Sequence, residues 1–315
     1  MNRLSLSAFV VVGIFIGLSG SLAAHAAKTV EGGGDVSAIV TVLPKSGELP
    51  APVAVSDVHA KVGGKNAEIT DWHPFQGTAP NLQLLLLIDD SARTSLGLHL
   101  KELQQFMLSQ PPTTEEAVAY MQNSGAPLSQ AFTTDHEAAA KSLRIPLSVP
   151  GGNGSPYFVL SDVIKHWEKP EAGVRREVVM VTDGIDRYNG LRFDPQDPYV
   201  QATIGDCLKA GVVVYSIYFR DAGFADRTGA GVNSGQNYLL QLSQTTGGQT
   251  FYQGFGNPVS FTPFLADISK RLSNQYELAL APPPERKGLA NLKVQVSTPN
   301  TRVEAPQQVV LEEGK

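Results

Sequence analysis

The residues most able to do chemistry sit where apolar runs stop. "LLLLIDDSARTSLG" (residues 84–97) passes from aliphatic side chains into Asp89, Asp90 and Ser91. "EVVMVTDG" ends in Asp183 and Gly184, and "GGNGSP" places Ser155 directly before Pro156. If these three loops meet, they assemble two carboxylates (Asp89, Asp183) and two hydroxyls (Ser91, Ser155). Oxygen donors without histidine or cysteine suit Mg2+, Mn2+ or Ca2+ rather than zinc. An ion touched by few carboxylates keeps much of its charge and can capture an acidic side chain from a partner protein. That is binding chemistry rather than hydrolysis. Arg93 complicates it, because a guanidinium about 4 Å from a cation opposes each unit of charge by roughly 4 kcal/mol at a dielectric near 20. Either Arg93 points outward and water completes the ion's shell, or it folds onto Asp89 or Asp183 and is itself the cation.

Catalysis has little to stand on. Ser155 lies between Asn153 and Tyr157 with no Gly-x-Ser-x-Gly around it, and no His-Glu-x-x-His occurs. "DDSA" lacks the Asp-x-Asp of aspartyl phosphotransferases. The chain is therefore read as not an enzyme, with a hydrolase as the weakest alternative. Other polar residues read as structural. Asp90 is expected in solvent, Asp186 and Arg187 as an ion pair, and His73 and His166 as packing or surface residues. Cys207, the only cysteine, falls in an amphipathic helix pattern and reads as a small core residue. "GGNG" before a helix could hold an anion but lacks the Lys-Ser/Thr of a phosphate loop.

The elements that must position these groups alternate. "LQLLLLI", "EVVMVT" and "VVVYSIYF" are continuous apolar runs, as in strands buried on both faces of a parallel sheet. Helix patterns lie between them. "SLGLHLKELQQFMLSQ" stops at Pro111, Thr134 and Glu137 form a capping box for "EAAAKSLR", and Ser155 with Pro156 opens "YFVLSDVIKHWEK". "PYVQATIGDCLKAG" is a helix closed by Gly211, and "NYLLQLSQTTGG" and "FTPFLADISKRLSNQ" are two more. "EAVAYMQ" and "PLSQAFT" read as a hairpin, and "GFADRTGAGVNSGQ" as a loop. The fold class is α/β with a doubly wound, mostly parallel sheet. Ligands on such a sheet bind beyond the carboxyl ends of its strands, where Asp89 and Asp183 fall. Before and after this core the pattern is all-β: "VSAIVTVL", a hairpin at Gly63-Gly64, and later "YELALA", "LKVQVS" and "TRVEAPQQVVLE". The two β segments are expected to meet as a small sandwich.

Met1 to Ala26 has a basic start, an apolar stretch and Ala24-His25-Ala26, the pattern of a cleaved export leader. The expected division is a leader at 1–26, an N-terminal β segment at 27–80, the α/β domain at 81–275 and a C-terminal β segment at 276–315. The net charge of −5, without a basic block, argues against nucleic acid and anionic membranes. No other stretch is apolar and long enough to span a bilayer.

Asp89-Asp90-Ser91-Ala92-Arg93, Ser155 and Asp183-Gly184 together resemble the von Willebrand factor type A family. That family carries Asp-x-Ser-x-Ser, a Thr on a second loop and an Asp after a later strand, its metal-ion-dependent adhesion site. "VVMVTDG", "LKAGVVVYSIYF" and "LSQTTGGQTFY" add to the likeness, which spans about residues 81–280. The flanks, with "YELALAPP" and "LKVQV", resemble a bacterial branch common in acidobacteria. The resemblance implies a von Willebrand factor A-like, Rossmann-type domain with Asp89, Ser91, Ser155 and Asp183 as ligands of Mg2+ or Mn2+. It implies an adhesion-type module in the periplasm or outside the cell, binding a protein partner. Ser155 keeps the hydroxyl of the family's Thr but equally suits a plain helix N-cap. Arg93 stands where the family has its second Ser, so the site is degenerate. The alternative is a metal-free scaffold of a cell-envelope assembly with Arg93 in place of the cation.

Overall fold

A computed structural model describes residues 36–48, 52–75, 82–123, 125–168, 173–190, 192–220, 229–281 and 287–311. The expected leader lies outside the described residues. Four strands come first: β1 (Val36–Pro44), β2 (Val58–Val62), β3 (Lys65–Ala67) and β4 (Ile69–Pro74). The α/β part then runs β5 (Leu82–Asp89), α1 (Leu100–Leu108), β6 (Thr114–Met121), β7 (Leu128–Thr133), α2 (His136–Lys141) and α3 (Pro156–His166). It continues with β8 (Arg175–Thr182), α4 (Pro198–Ala210), β9 (Val212–Tyr218), α5 (Gly229–Thr246), β10 (Thr250–Phe251) and α6 (Thr262–Leu272). Strands β11 (Gln275–Leu280), β12 (Gly288–Val296), β13 (Thr301–Glu304) and β14 (Gln308–Leu311) close the described chain.

The apolar runs become a sheet of order β10-β9-β8-β5-β6-β7, parallel except for β7, which is antiparallel to β6. Side chains alternate across a strand, so a five-residue aliphatic run fills two cores at once. Leu84, Leu86 and Ile88 pack under α1, α2 and α6 with Leu103, Phe106, Ala139 and Leu265. Leu85 and Leu87 pack under α3, α4 and α5 with Tyr157, Leu160, Ile204 and Leu239. Each buried leucine contributes about 1.5–3 kcal/mol, which sets the register of the central strand. Successive strands add to one side of β5 through β6 and β7, and to the other through β8, β9 and β10. Strand order therefore reverses between β5 and β8, and this is the switch point of a doubly wound sheet. In the lower half of the sheet, Leu84 is registered between two buried carboxylates, Glu116 on β6 and Glu177 on β8.

The flanking segments interleave. β1 pairs antiparallel with β11 and β13, and β2 pairs antiparallel with β12. The resulting sheets, β13-β1-β11-β4 and β14-β12-β2-β3, share one apolar core that includes Val40, Val42, Val62, Leu278 and Leu292. Trp72 and Tyr276 stack at 4.6 Å across neighbouring strands.

Two local expectations change. The second half of the expected "GFADRTGAGVNSGQ" loop is helix, since α5 starts at Gly229. Glycine is a poor helix former, but Gly231 and Gly235 are buried in the α5 contact, where burial outweighs propensity. The cap of α2 is Asp135 rather than Thr134: its carboxylate accepts from Ala138 N at 3.0 Å.

Candidate functional site

The loops after β5 and β8 and the segment before α3 meet at the switch point. Asp89 is 2% exposed, Ser91 2%, Ser155 1% and Asp183 1%, so all four expected donors are buried there. Asp89 ends β5. Its Oδ1 accepts from Ser91 N at 3.0 Å, Ser91 Oγ at 2.8 Å and Asn153 Nδ2 at 3.5 Å. Its Oδ2 accepts from Thr182 Oγ1 at 2.8 Å, which ties the end of β8 to the end of β5. Burial and the neighbouring Asp183 charge push the Asp89 carboxyl above its ordinary range, against the bonds from Ser91 and Thr182. Ser91 Oγ accepts from Asn153 N at 3.2 Å, and Ser91 O from Gly151 N at 3.0 Å. Ser155 caps α3, its Oγ accepting from Phe158 N at 3.3 Å.

Asp183 sits on a turn that needs glycine next to it. Gly184 has φ +67°, and a Cβ there would lie 2.6 Å from Gly235 O and 2.5 Å from Leu239 Cγ. Gly235 answers from α5: its Cβ would lie 2.0 Å from Asp183 O. This contact of two backbones aims the chain after Asp183 back across the site. Arg187 follows, and its Nη2 donates to Asp183 Oδ2 at 2.6 Å. Nη1 reaches Asn153 O at 3.2 Å, Ile185 O at 3.3 Å and Asp183 Oδ1 at 3.5 Å. Arg187 N donates to Gly154 O at 2.7 Å, so one residue joins two of the three loops.

The cation on Asp183 is therefore Arg187, and the role considered for Arg93 is corrected. Arg93 is exposed at the start of a 3-10 turn, Thr94–His99. Two further expectations are corrected with it. Asp186 does not pair with Arg187; it lies buried toward Asp197, and burial and that carboxylate push it up to about 6. Asp90 is not solvated but 1% exposed. It accepts from Arg144 Nη1 at 2.6 Å and from Gln122, Leu147 N and Ser148 Oγ at 3.0 Å. Burial raises its carboxyl, but these donors outweigh burial and hold it below its ordinary value. Arg144 also stacks 3.7 Å over the Tyr120 ring.

With Arg187 in place the four expected donors do not fit a divalent ion. Asp183 has one oxygen on the guanidinium and the other on Ile185 N. Both oxygens of Asp89 accept hydrogen bonds, and the Ser155 hydroxyl is engaged as a cap. A doubly charged ion about 4 Å from the guanidinium would meet roughly 8 kcal/mol of repulsion at a dielectric near 20. One acceptor is left over: Asn153 Oδ1 is buried and without a hydrogen-bond partner among the described residues. No group of three or more His, Cys, Asp or Glu arranged for a metal occurs among the described residues.

A second constellation has the composition of a catalytic triad but the wrong wiring. His99 Nδ1 lies 2.9 Å from Glu102 Oε1, and Ser260 Oγ donates to Glu102 Oε2 at 2.5 Å. Thr262 N and Oγ1 also donate to Glu102 Oε2, both at 2.7 Å. Burial raises the Glu102 carboxyl, but the donors from Ser260, Thr262 and His99 bring it down to about 2, too weak a base to activate a hydroxyl. His99 stacks on Phe261 at 4.2 Å. This cluster fastens the start of α6 to α1.

The loops after β5, β8 and β10 and the segment before α3 carry exposed apolar side chains: Leu98, Leu147, Val149, Tyr188, Phe255 and Val259. The loops also touch. The Ile145 side chain closes on Gly97, Tyr188 covers Gly154, and the Tyr188 and Tyr199 rings lie 5.8 Å apart.

No protein-family model matches the chain, and no curated protein does. It is similar to solved structures. One is an aerotolerance-related membrane protein from Bacteroides fragilis, at 13% identity over 61% of this chain and 98% of that one, TM-score 0.43. Another is proximal thread matrix protein 1 from the mussel byssus, with a zinc-occupied metal-ion-dependent adhesion site, at 13% over 64% and 47%, TM-score 0.44. A third is the SpRpn10 VWA domain, at 10% over 60% and 95%, TM-score 0.39. A mostly parallel six-stranded sheet, reversing its order between two strands that deliver Asp89 and Asp183, makes the α/β part of this chain a doubly wound fold.

Proposed function

We propose that the chain is an exported interaction module that engages a protein partner through the loop edge at the carboxyl ends of β5 and β8. The observation that carries this reading is the apolar rim. Leu147 is 69% exposed and Val149 77%, on the segment whose Ser148 N and Gly151 N donate to Asp90 O and Ser91 O at the polar cluster. Exposed apolar residues gathered on one set of loops mark interaction surfaces, and scattered ones do not. The Ser91 and Thr182 hydroxyls are buried on Asp89 and the Ser155 hydroxyl caps a helix, an arrangement that supports binding over catalysis. Export rests on the expected leader at residues 1–26 and places the module in the periplasm or outside the cell. No helix among the described residues is long and apolar enough to cross a membrane. A partner contributing an acidic side chain would meet Arg187, whose side chain keeps 17% of its surface exposed beside Asp183.

The test is affinity capture from an envelope extract with three proteins. These are wild type, a rim variant carrying Leu147→Asp and Val149→Asp, and a control with Leu289→Asp on the sandwich, where Leu289 is 51% exposed. A protein retained by wild type and control but lost by the rim variant is the expected result. Equal retention by all three would sink the reading.

A further inference from the structure

We infer that Arg187 is a built-in replacement for a divalent cation at the switch point, so that the cluster of Asp89, Ser91, Ser155 and Asp183 works without metal and becomes a metal site only when the guanidinium is removed. The inference concerns the loop edge just described but does not depend on a protein partner, and its test uses none.

Three observations carry it. The first is position. Arg187 Nη2 holds Asp183 Oδ2 at 2.6 Å, and the side chain is largely covered at 17% exposure. The charge therefore sits inside the cluster, on the carboxylate that a metal would need. The second is what else the guanidinium does. It reaches Asn153 O and Ile185 O, and the Arg187 backbone N reaches Gly154 O. A coordinated cation links loops by collecting their oxygens, and this guanidinium links two of them by donating to theirs. The third is the accounting of acceptors. Asp89 is satisfied by Ser91, Asn153 and Thr182, and Asp183 by Ile185 N and Arg187, so the oxygens of both carboxylates are engaged by protein donors. Beside these two carboxylates, Asn153 Oδ1 is a buried acceptor without a partner among the described residues, and it is too little to hold an ion alone.

Removing the guanidinium withdraws the positive charge and frees Asp183 Oδ2, while Asp89 keeps its bonds to Ser91, Asn153 and Thr182. Asp183 becomes an unpaired buried carboxylate next to Asp89, whose carboxyl the Asp183 charge already pushes up. Two carboxylates, two hydroxyls and the Asn153 carbonyl then form an oxygen set of the kind Mg2+ and Mn2+ take.

The experiment titrates Mn2+ into purified wild type, Arg187→Ala and Arg187→Gln, followed by electron paramagnetic resonance and calorimetry. Both variants should bind Mn2+ at least about tenfold more tightly than wild type. Mn2+ should raise their melting temperatures and leave that of wild type unchanged. Adding Asp89→Ala to Arg187→Gln should abolish the gain. Wild type that binds Mn2+ as tightly as the variants, and loses it with Asp89→Ala, would overturn the inference. So would folded variants that gain nothing. Arg187→Gln keeps a donor for the loop carbonyls, so it stays informative if Arg187→Ala does not fold, and the wild-type titration decides its own half in either case.

Discussion

Replacing Glu116 with glutamine should remove a pH-dependent weakness from the sheet. Glu116 is 0% exposed in the middle of the α/β core, and neither carboxylate oxygen has a hydrogen-bond partner among the described residues. Burial alone pushes its carboxyl from 4.5 up to about 8. Below 4.5 the group is neutral in both folded and unfolded chains and costs nothing through ionisation. Between 4.5 and about 8 the unfolded chain gives up its proton and the folded chain keeps it. Stability therefore falls as pH rises, by about 1.4 kcal/mol per unit. The loss is roughly 3 kcal/mol at pH 7 and levels off near 5 kcal/mol above pH 8, on an order-of-magnitude scale. Glutamine has nearly the same shape and does not titrate. The cost of burying its amide is the same at every pH, so it cancels when the two proteins are compared across pH. Urea unfolding at about pH 5, 7 and 8.5 gives the comparison. The variant should gain on wild type by roughly 2.5 kcal/mol between the first two conditions. A constant offset between the two proteins at all three would refute the reasoning. Glu177, in the same register across Leu84, titrates in both proteins and drops out. It is pushed up to about 7 by burial, against the attraction of Arg175 beside it.

Two smaller perturbations probe the loops that shape the site. Ser155→Ala removes the α3 cap and should cost about 0.5–2 kcal/mol in denaturant unfolding, a result the absence of any change would contradict. Gly235→Ala drives a methyl to within 2.0 Å of Asp183 O, a backbone atom with nowhere to go. A loss of about 1–3 kcal/mol is expected as α5 is levered off the Asp183 turn, and wild-type stability would show that the two backbones are not in contact.

The fold was legible because its strands are buried on both faces. A run such as Leu84–Ile88 has one energetic solution, a central strand with helices on either side, and its carboxyl end fixes where Asp89 falls. The flanking sandwich was legible from alternation, since Val36, Ala38, Val40 and Val42 all face one core. Less legible was the start of α5. Local propensity argued for a loop at Gly229, Gly231 and Gly235, and tertiary packing overrode it, because only glycine at 235 lets the helix approach the Asp183 turn. Thr182 was passed over for a related reason. It reads as a polar break in an apolar strand, and its partner Asp89 lies 93 positions away in sequence.

The site itself was legible in its anions and not in its cations. Asp89 and Asp183 are placed by strand ends, which pattern locates well. Arg93 and Arg187 stand in loops, where direction depends on turns that no periodicity encodes. Arg93 begins a 3-10 turn and faces outward. Arg187 is turned inward by the positive φ of Gly184 and by its own bond to Gly154 O. The same asymmetry explains the Asp89-Asp90 doublet. Alternation sends the two side chains to opposite faces of the strand end. Asp89 meets the hydroxyls of Ser91 and Thr182, while Asp90 meets Arg144 beyond α2. Of the three carboxylates at this edge, two carry their own arginine, and Asp89, bound by hydroxyls and amides, has its carboxyl pushed upward. A cluster that brings its own positive charges can be bound together before anything docks on it. This makes Arg187, rather than Arg93, the residue on which metal dependence turns.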